Sequence, residues 1–164
     1  MNLTHRPATL ADAHLYFDWA NDPITRQQSF SSDPISLETH TAWFSRKLAD
    51  STALLLVFEN EAGEPVGQIR FERKPVADMP DEIIVGISVD TRFRGQGLAS
   101  QVIAEGCDEC RKQWGAITIH AYIKPDNQSS IRSFTKAGFT FSHESGKFGV
   151  SGQERPSLVF SKTL

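Results

Sequence analysis

Residues 89–99 carry the strongest chemical signal in the chain: Val89-Asp90-Thr91-Arg92-Phe93-Arg94-Gly95-Gln96-Gly97-Leu98-Ala99. An apolar run ends, a loop bearing arginines and glycines follows, and a helical pattern begins at once. Glycines at 95 and 97 remove the side chains that would hold a ligand away from the backbone. The first N–H groups of a helix have no partner within it, and the helix dipole favours negative charge there. Such a turn suits a phosphate or diphosphate. Arg92 and Arg94 can add positive charge, either to phosphates or to nearby carboxylates. Other phosphate loops fit poorly. A P-loop needs a Lys-Ser/Thr pair that is missing here, and Gly95-Gln96-Gly97-Leu98-Ala99-Ser100 lacks the third glycine of a dinucleotide fingerprint.

The elements around this turn follow from hydrophobic period and breakers. Residues 2–6 read as a short strand. Thr9 can cap a helix to about Trp19, with Leu10, Ala13, Phe17 and Ala20 on one face, and Asn21-Asp22-Pro23 breaks it. Residues 24–35 read as a loop with a helical turn. Ser36 can cap a helix to about Leu48, with Leu37, His40, Thr41, Phe44 and Leu48 in one stripe. The period then changes. Strands are expected at 53–58, 66–71 and 82–89, with a hairpin turn at 60–64 and a loop at 75–80. A helix is expected from Gly97 to Trp114, stopped by Gly115, then a strand at 116–123 and a helix from Asn127 to Ala137 stopped by Gly138. Strands at 139–141 and 157–161 close the pattern around a Gly-rich connection at 145–153.

The chain has 164 residues, 39% hydrophobic and 23% charged, with a formal net charge of −3. That excludes a wholly disordered chain and gives no global electrostatic reason to seek nucleic acid or an anionic membrane. The expectation is a single domain over 1–164, with a helical part at about 9–48 and a core at about 53–142. No signal peptide is visible, and the longest apolar run, Ala53 to Phe58, is far too short to span a bilayer. A cytoplasmic protein is expected. Cys107 and Cys110 have CxxC spacing, but in mid-helix and without a second ligand pair they read as packing residues; no metal is expected.

Two blocks together resemble the GNAT superfamily of N-acetyltransferases. Arg92-Phe93-Arg94-Gly95-Gln96-Gly97 matches its Gln/Arg-x-x-Gly-x-Gly/Ala acyl-CoA signature. The run from Asn127 to Phe139 resembles its Asn-rich helix ending in Gly-Phe, and the likeness covers about residues 53–142. The resemblance implies an α/β (α+β) fold: a central mixed, mostly antiparallel sheet of six to seven strands, flanked by helices and splayed between strands 4 and 5. It implies acetyl-CoA as co-substrate. Ile87, Ser88 and Val89 would pair with the pantetheine arm. The N–H groups of Arg94, Gly95, Gln96, Gly97, Leu98 and Ala99 would hold the diphosphate, and that of Val89 would polarise the thioester carbonyl. Asn127 and Ser130 would contact pantetheine or order the neighbouring loop. Many members carry a proton-donating Tyr where this chain has Phe134.

Acetyl transfer to an amine requires loss of the ammonium proton, stabilisation of the carbonyl oxygen and departure of a thiolate. Tyr122 could replace the missing donor. Glu82, at the start of a strand, could take the proton directly or through water. His120 and Glu72 are further candidates, and the sequence does not rank the four. On the acceptor side the candidates are Trp19, Asn21, Arg26, His40 and Arg70: an aromatic ring can stack on a base or sugar, and Arg and His can grip phosphate. Trp-x-Asn-Asp-Pro, Ser29-Phe30, Ile35-Ser36, His-x-x-Trp-Phe, Gly67-to-Phe71 and Ile123-to-Asn127 resemble acetyltransferases of nucleotide-linked amino sugars in pseudaminic-acid-type pathways. That resemblance implies a UDP-linked 4-amino-dideoxy sugar as acceptor and allows a homodimer. A ribosomal-protein or peptide N-terminal acetyltransferase and a non-catalytic acyl-CoA-binding module are the alternatives.

Overall fold

Long runs of apolar and β-branched residues make the middle of the chain into strands that frame everything else. The structure is a computed structural model that describes residues 1–28, 33–146 and 156–164. Its strands are β1 (Thr4–Pro7), β2 (Ala53–Glu59), β3 (Pro65–Val76), β4 (Met79–Val89), β5 (Thr118–Ile123), β6 (Thr140–Ser145) and β7 (Ser157–Thr163). Its helices are α1 (Ala13–Ala20), α2 (Pro23–Gln28), α3 (Leu37–Leu48), α4 (Leu98–Trp114) and α5 (Gln128–Lys136). The strands form one seven-stranded sheet in the order β1-β2-β3-β4-β5-β7-β6. All neighbours are antiparallel except β4 and β5. The expected mixed, mostly antiparallel sheet is therefore present. No helix among the described residues is long and apolar enough to cross a membrane.

The two faces of the sheet differ. On one, Ile69, Phe71, Ile83, Val85 and Ile119 pack against Val102, Ile103, Cys107 and Cys110 of α4. Burial pushes both thiols up to about 12, as packing residues require. On the other face, Leu55 and Val57 of β2 meet Tyr16, Trp19 and Phe44 from α1 and α3. Farther across that face the register sets Gln68 opposite Ser88, Arg70 opposite Gly86 and Glu72 opposite Ile84. These positions are mostly polar, so the helices cannot seal the face and a groove remains.

Three expectations need correction. Leu10 is 64% exposed, and Tyr16 and Trp19 form the buried side of α1. The cause is a first turn, Leu10–Asp12, wound as a 3-10 helix that shifts the face. It is pinned by Arg6, which grips both oxygens of Asp12 at 2.9 Å. Residues 75–80 are not a loop: β3 and β4 extend to a tip that pairs Val76 with Met79 around Asp78, at φ 59°. A register shift between Lys74 and Val76 accommodates Pro75, which has no N–H for the ladder. Within 24–35, the helical turn is a full helix, α2. The Gly-rich connection lies outside the described residues from 147 onward.

Gly106 lets α4 sit on the sheet. A β-carbon there would lie 2.9 Å from two atoms of Ile69, which is wholly buried. Gly106→Val overpacks this contact and is expected to cost about 2 kcal/mol. For a chain of this size that lowers Tm by roughly 4–8 °C, readable by calorimetry; an unchanged melt would mean that the helix slides freely.

Candidate active site

The parallel pairing of β4 and β5 stops after Ile83↔Ile119 and Ile84↔His120. Beyond it the strands part, and Val85 to Val89 on one side and Ala121 to Ile123 on the other line a shared cleft of about 840 Å³. This is the expected splay between strands 4 and 5. The cleft passes through the sheet, from the α4–α5 side to the polar floor under α1–α3.

At one mouth lies the turn into α4. Gly97 is the N-cap, in the left-handed region at φ 75°, and makes no side-chain cap. Gly95 has φ 77°, and a β-carbon on either glycine would meet no protein atom within 4 Å. Among the described residues, no turn or loop carbonyl accepts from the N–H groups of Gly95, Gly97 or Leu98. Unpaired donors at a helix start, with open space in front of them, fit a diphosphate. Gly95, Gly97, Leu98 and Ala99 line the cleft, as do Ile87, Ser88, Val89, Asn127, Ser130 and Phe134, whereas Gln96 does not.

The arginine side chains of this turn go to carboxylates. Arg92 pairs with Asp90 at 3.1 Å. Arg94 donates to the Val89 carbonyl at 3.0 Å and to Asp22 at 2.8 Å, while its Nη1 is buried without a partner. Asp22 also accepts from Thr91 Oγ1 at 2.8 Å and the Thr25 N–H at 3.0 Å. Burial opposes ionisation of Asp22, but these donors outweigh it and hold its pKa at about 2, below the ordinary 3.8. A depressed carboxylate stabilises the fold above its unfolded pKa and loses that effect as pH falls through the folded value. Asp22→Asn is therefore expected to cost about 1–3 kcal/mol at pH 7. The gap to wild type should close between about pH 4 and about pH 2 in urea titrations; a gap that stayed constant would remove the ion pair from the account.

Phe134, 3% exposed, packs edge-on against Phe139 at 5.0 Å. It has no proton to give. Asn127 Oδ1 accepts from the Ser130 N–H at 3.2 Å and caps α5. The proton candidates lie on the polar face. Tyr122 lines the cleft and donates a short hydrogen bond to Glu82, which stands behind it. Burial, reinforced by Glu82, raises the Tyr122 pKa, so the phenol keeps its proton. His120 Nδ1 is 2.7 Å from Ser161 Oγ, and burial lowers its pKa. Glu72 is shared between Lys47 at 3.1 Å and Arg70 at 3.4 Å.

Of the acceptor-side residues, Trp19, Arg26, His40 and Arg70 line the cleft and Asn21 does not. Both amide atoms of Asn21 bond the Ile35 backbone, at 2.8 and 2.9 Å. Trp19 Nε1 donates to Asp90 Oδ2 at 2.9 Å, tying α1 to the start of the turn. Ser29 and Phe30 lie outside the described residues. Sequence reasoning missed Gly86 and gave Trp43 and Gln68 no role of their own within their motifs: Trp43 carries the Arg70 guanidinium 5.4 Å from its ring centroid, Gly86 leaves room for that group, and Gln68 lies buried on the cleft wall. Strand parity alone could have found Gln68 and Gly86, since both share the face of Arg70.

Comparison with known proteins bears on this site. L-2,4-diaminobutyric acid acetyltransferase of Streptomyces coelicolor is 34% identical over 87 residues, 52% of this chain and 50% of that protein. The match thus spans about half the length of that curated relative. A phosphinothricin acetyltransferase from Sinorhizobium meliloti, solved with acetyl-CoA, superposes with a TM-score of 0.79 at 17% identity, covering 100% of this chain and 89% of that one. Ribosomal-protein-alanine N-acetyltransferase from Brucella melitensis does so with 0.81 at 24% identity, covering 98% and 99%. A family model described as an acetyltransferase (GNAT) domain matches residues 2–140, most of the sequence, and with the split sheet and the open turn in place the chain belongs to the GNAT acetyltransferase family.

Proposed function

We propose that the protein transfers the acetyl group of acetyl-CoA to a primary amine of a small molecule, by direct attack while both are bound. The observation that carries this reading is the set of N–H groups at Gly95, Gly97 and Leu98 that no turn carbonyl accepts, opening onto the gap between β4 and β5. Acetyl-CoA supplies an acetyl group already activated as a thioester. The N–H groups from Arg94 to Ala99 would hold its diphosphate, and the freed edge Ile87–Val89 would pair with the pantetheine amides. The Val89 N–H would donate to the carbonyl oxygen as it gains charge. Tyr122 would take a proton from the incoming ammonium as it passes its own to Glu82. With Phe134 in place of a donor, the thiolate would leave unprotonated, which a thiol pKa near ~8.5 permits.

The relatives named for diaminobutyrate and phosphinothricin support a small acceptor. A UDP-linked amino sugar remains the finer form of the proposal: Arg26, His40 and Arg70 line the wall that its phosphates would meet. Action in the cytoplasm as one domain, with a homodimer allowed, belongs to the same reading. The test is CoA thiol release with purified protein, acetyl-CoA and a panel of primary amines, with the products identified by mass spectrometry. Acetylated amine is the expected product. Saturable acetyl-CoA binding with every amine left unmodified would reduce the protein to an acyl-CoA-binding module.

A further inference from the structure

Arg70 is the cation at the centre of the acceptor wall. Arg70 lies flat between the Trp43 ring, 5.4 Å away, and the backbone of Gly86, where a β-carbon would stand 3.2 Å from the guanidinium carbon. Its one carboxylate partner, Glu72, is shared with Lys47. Arg26 enters the same cleft from α2 and donates to the Asp33 carbonyl at 3.2 Å. The two guanidinium groups act on each other and on His40; burial first, then these charges, lowers the His40 pKa and keeps its ring neutral. His40 is 4% exposed, its ring centroid lies 5.5 Å from that of Trp43 in a tilted contact, and its Nδ1 has no hydrogen-bond partner. Gln68, 3% exposed on β3 and lining the same cleft, donates to Ser88 Oγ at 3.2 Å and leaves Oε1 without a partner. Arg70, whose carboxylate is shared, and His40 Nδ1, which can carry the ring proton, are donors on one half-buried wall whose desolvation a bound anion would offset, whereas Gln68 Oε1 accepts and would meet a donor of the same ligand.

We propose that the amine acceptor carries an anionic group of its own, a carboxylate or a phosphate, seated against Arg70 and Arg26 beside His40. This rests on the acetyl-transfer reading and narrows it to a substrate class. The cleft floor is polarised to match: Arg70 stands on the β3 side of Gly86, and Tyr122 stands on the β5 side, bonded to Glu82 of β4. An acceptor lying across β4 would present its anion to the first and its ammonium to the second. A polyamine would place a second cation against the arginines, where like charge opposes it.

The test compares 2,4-diaminobutyrate with 1,3-diaminopropane, which is the same diamine without the carboxylate, and adds a UDP-linked amino sugar and spermidine. An anionic acceptor is expected to exceed diaminopropane and spermidine in kcat/KM by about a hundredfold. Whether diaminobutyrate or the nucleotide sugar leads decides between carboxylate and phosphate. Arg70→Gln should shrink the preference at least tenfold, mainly through KM, and Arg70→Lys should restore part of it. Arg26→Gln is the second variant should Arg70→Gln unfold. Equal or better use of diaminopropane or spermidine overturns the proposal, as does a preference that survives in both glutamine variants. If none of the four amines is acetylated, the acetyl-transfer reading fails, and calorimetry still decides the anion seat. There, saturable diaminobutyrate binding that Arg70→Gln removes supports the seat, and its absence overturns it.

Discussion

Gly97→Glu is expected to abolish acetyl-CoA binding in a protein that still folds. Gly97 is at φ 75°, and a β-carbon there meets nothing within 4 Å. The substitution creates no clash, and a side chain in the left-handed region costs about 1–2 kcal/mol, which a domain of ordinary stability survives. Its carboxylate, however, stands in front of the N–H groups that would receive the diphosphate. Like charges about 4 Å apart repel by about 4 kcal/mol in a partly screened site, close to a thousandfold in affinity. Gly97→Asn is the control, because asparagine tolerates the same backbone without the charge; it should lose far less. Calorimetric titration with acetyl-CoA, beside a circular dichroism melt of each variant, reads both effects. A folded Gly97→Glu protein with wild-type affinity would move the diphosphate elsewhere and take the mechanism with it.

How much of this was legible in the residues depends on the range of the interaction. The turn at 94–99 was readable because its signal is local: two glycines at positive φ and an abrupt change of period specify the start of α4 without reference to the rest of the fold. The capping of α3 by Ser36 and of α5 by Asn127 was readable for the same reason. The face of α1 was not. Its rotation is set by a 3-10 turn held through the Arg6–Asp12 pair, a tertiary contact invisible to helical period. Prolines 75 and 80 signalled a loop, yet both are tolerated near the tip of a hairpin whose pairing is secured farther along. At the site, Arg94 could have faced a phosphate or a carboxylate. Only the position of Asp22, seventy-two residues earlier, assigns it to the carboxylate. The Arg70–Trp43–His40 wall is likewise a product of packing between β3 and α3, so residue types suggested its members without saying which would touch.

Tyr122 and Glu82 were separate candidates in the sequence; one hydrogen bond makes them a single device, and the second large effect follows from that. Tyr122, whose pKa burial and Glu82 both raise, is not a base at neutral pH. It can accept the ammonium proton only while handing its own to Glu82, so neither residue works without the other. Tyr122→Phe and Glu82→Gln should each lower kcat by about 10²–10³, the usual range for a lost proton-transfer group. Acetyl-CoA affinity should stay at the wild-type value, because neither side chain touches the turn at 94–99. The double variant should be no slower than the worse single one, since groups acting as a unit are not additive. In both single variants kcat/KM should climb with pH toward the ordinary amine pKa near ~10, where solvent removes the proton without help. Wild type should level off earlier. Additive losses, or variants that keep the wild-type pH profile, would return Tyr122 and Glu82 to strand packing and send the search for the base to His120, a half-buried ring whose pKa desolvation lowers.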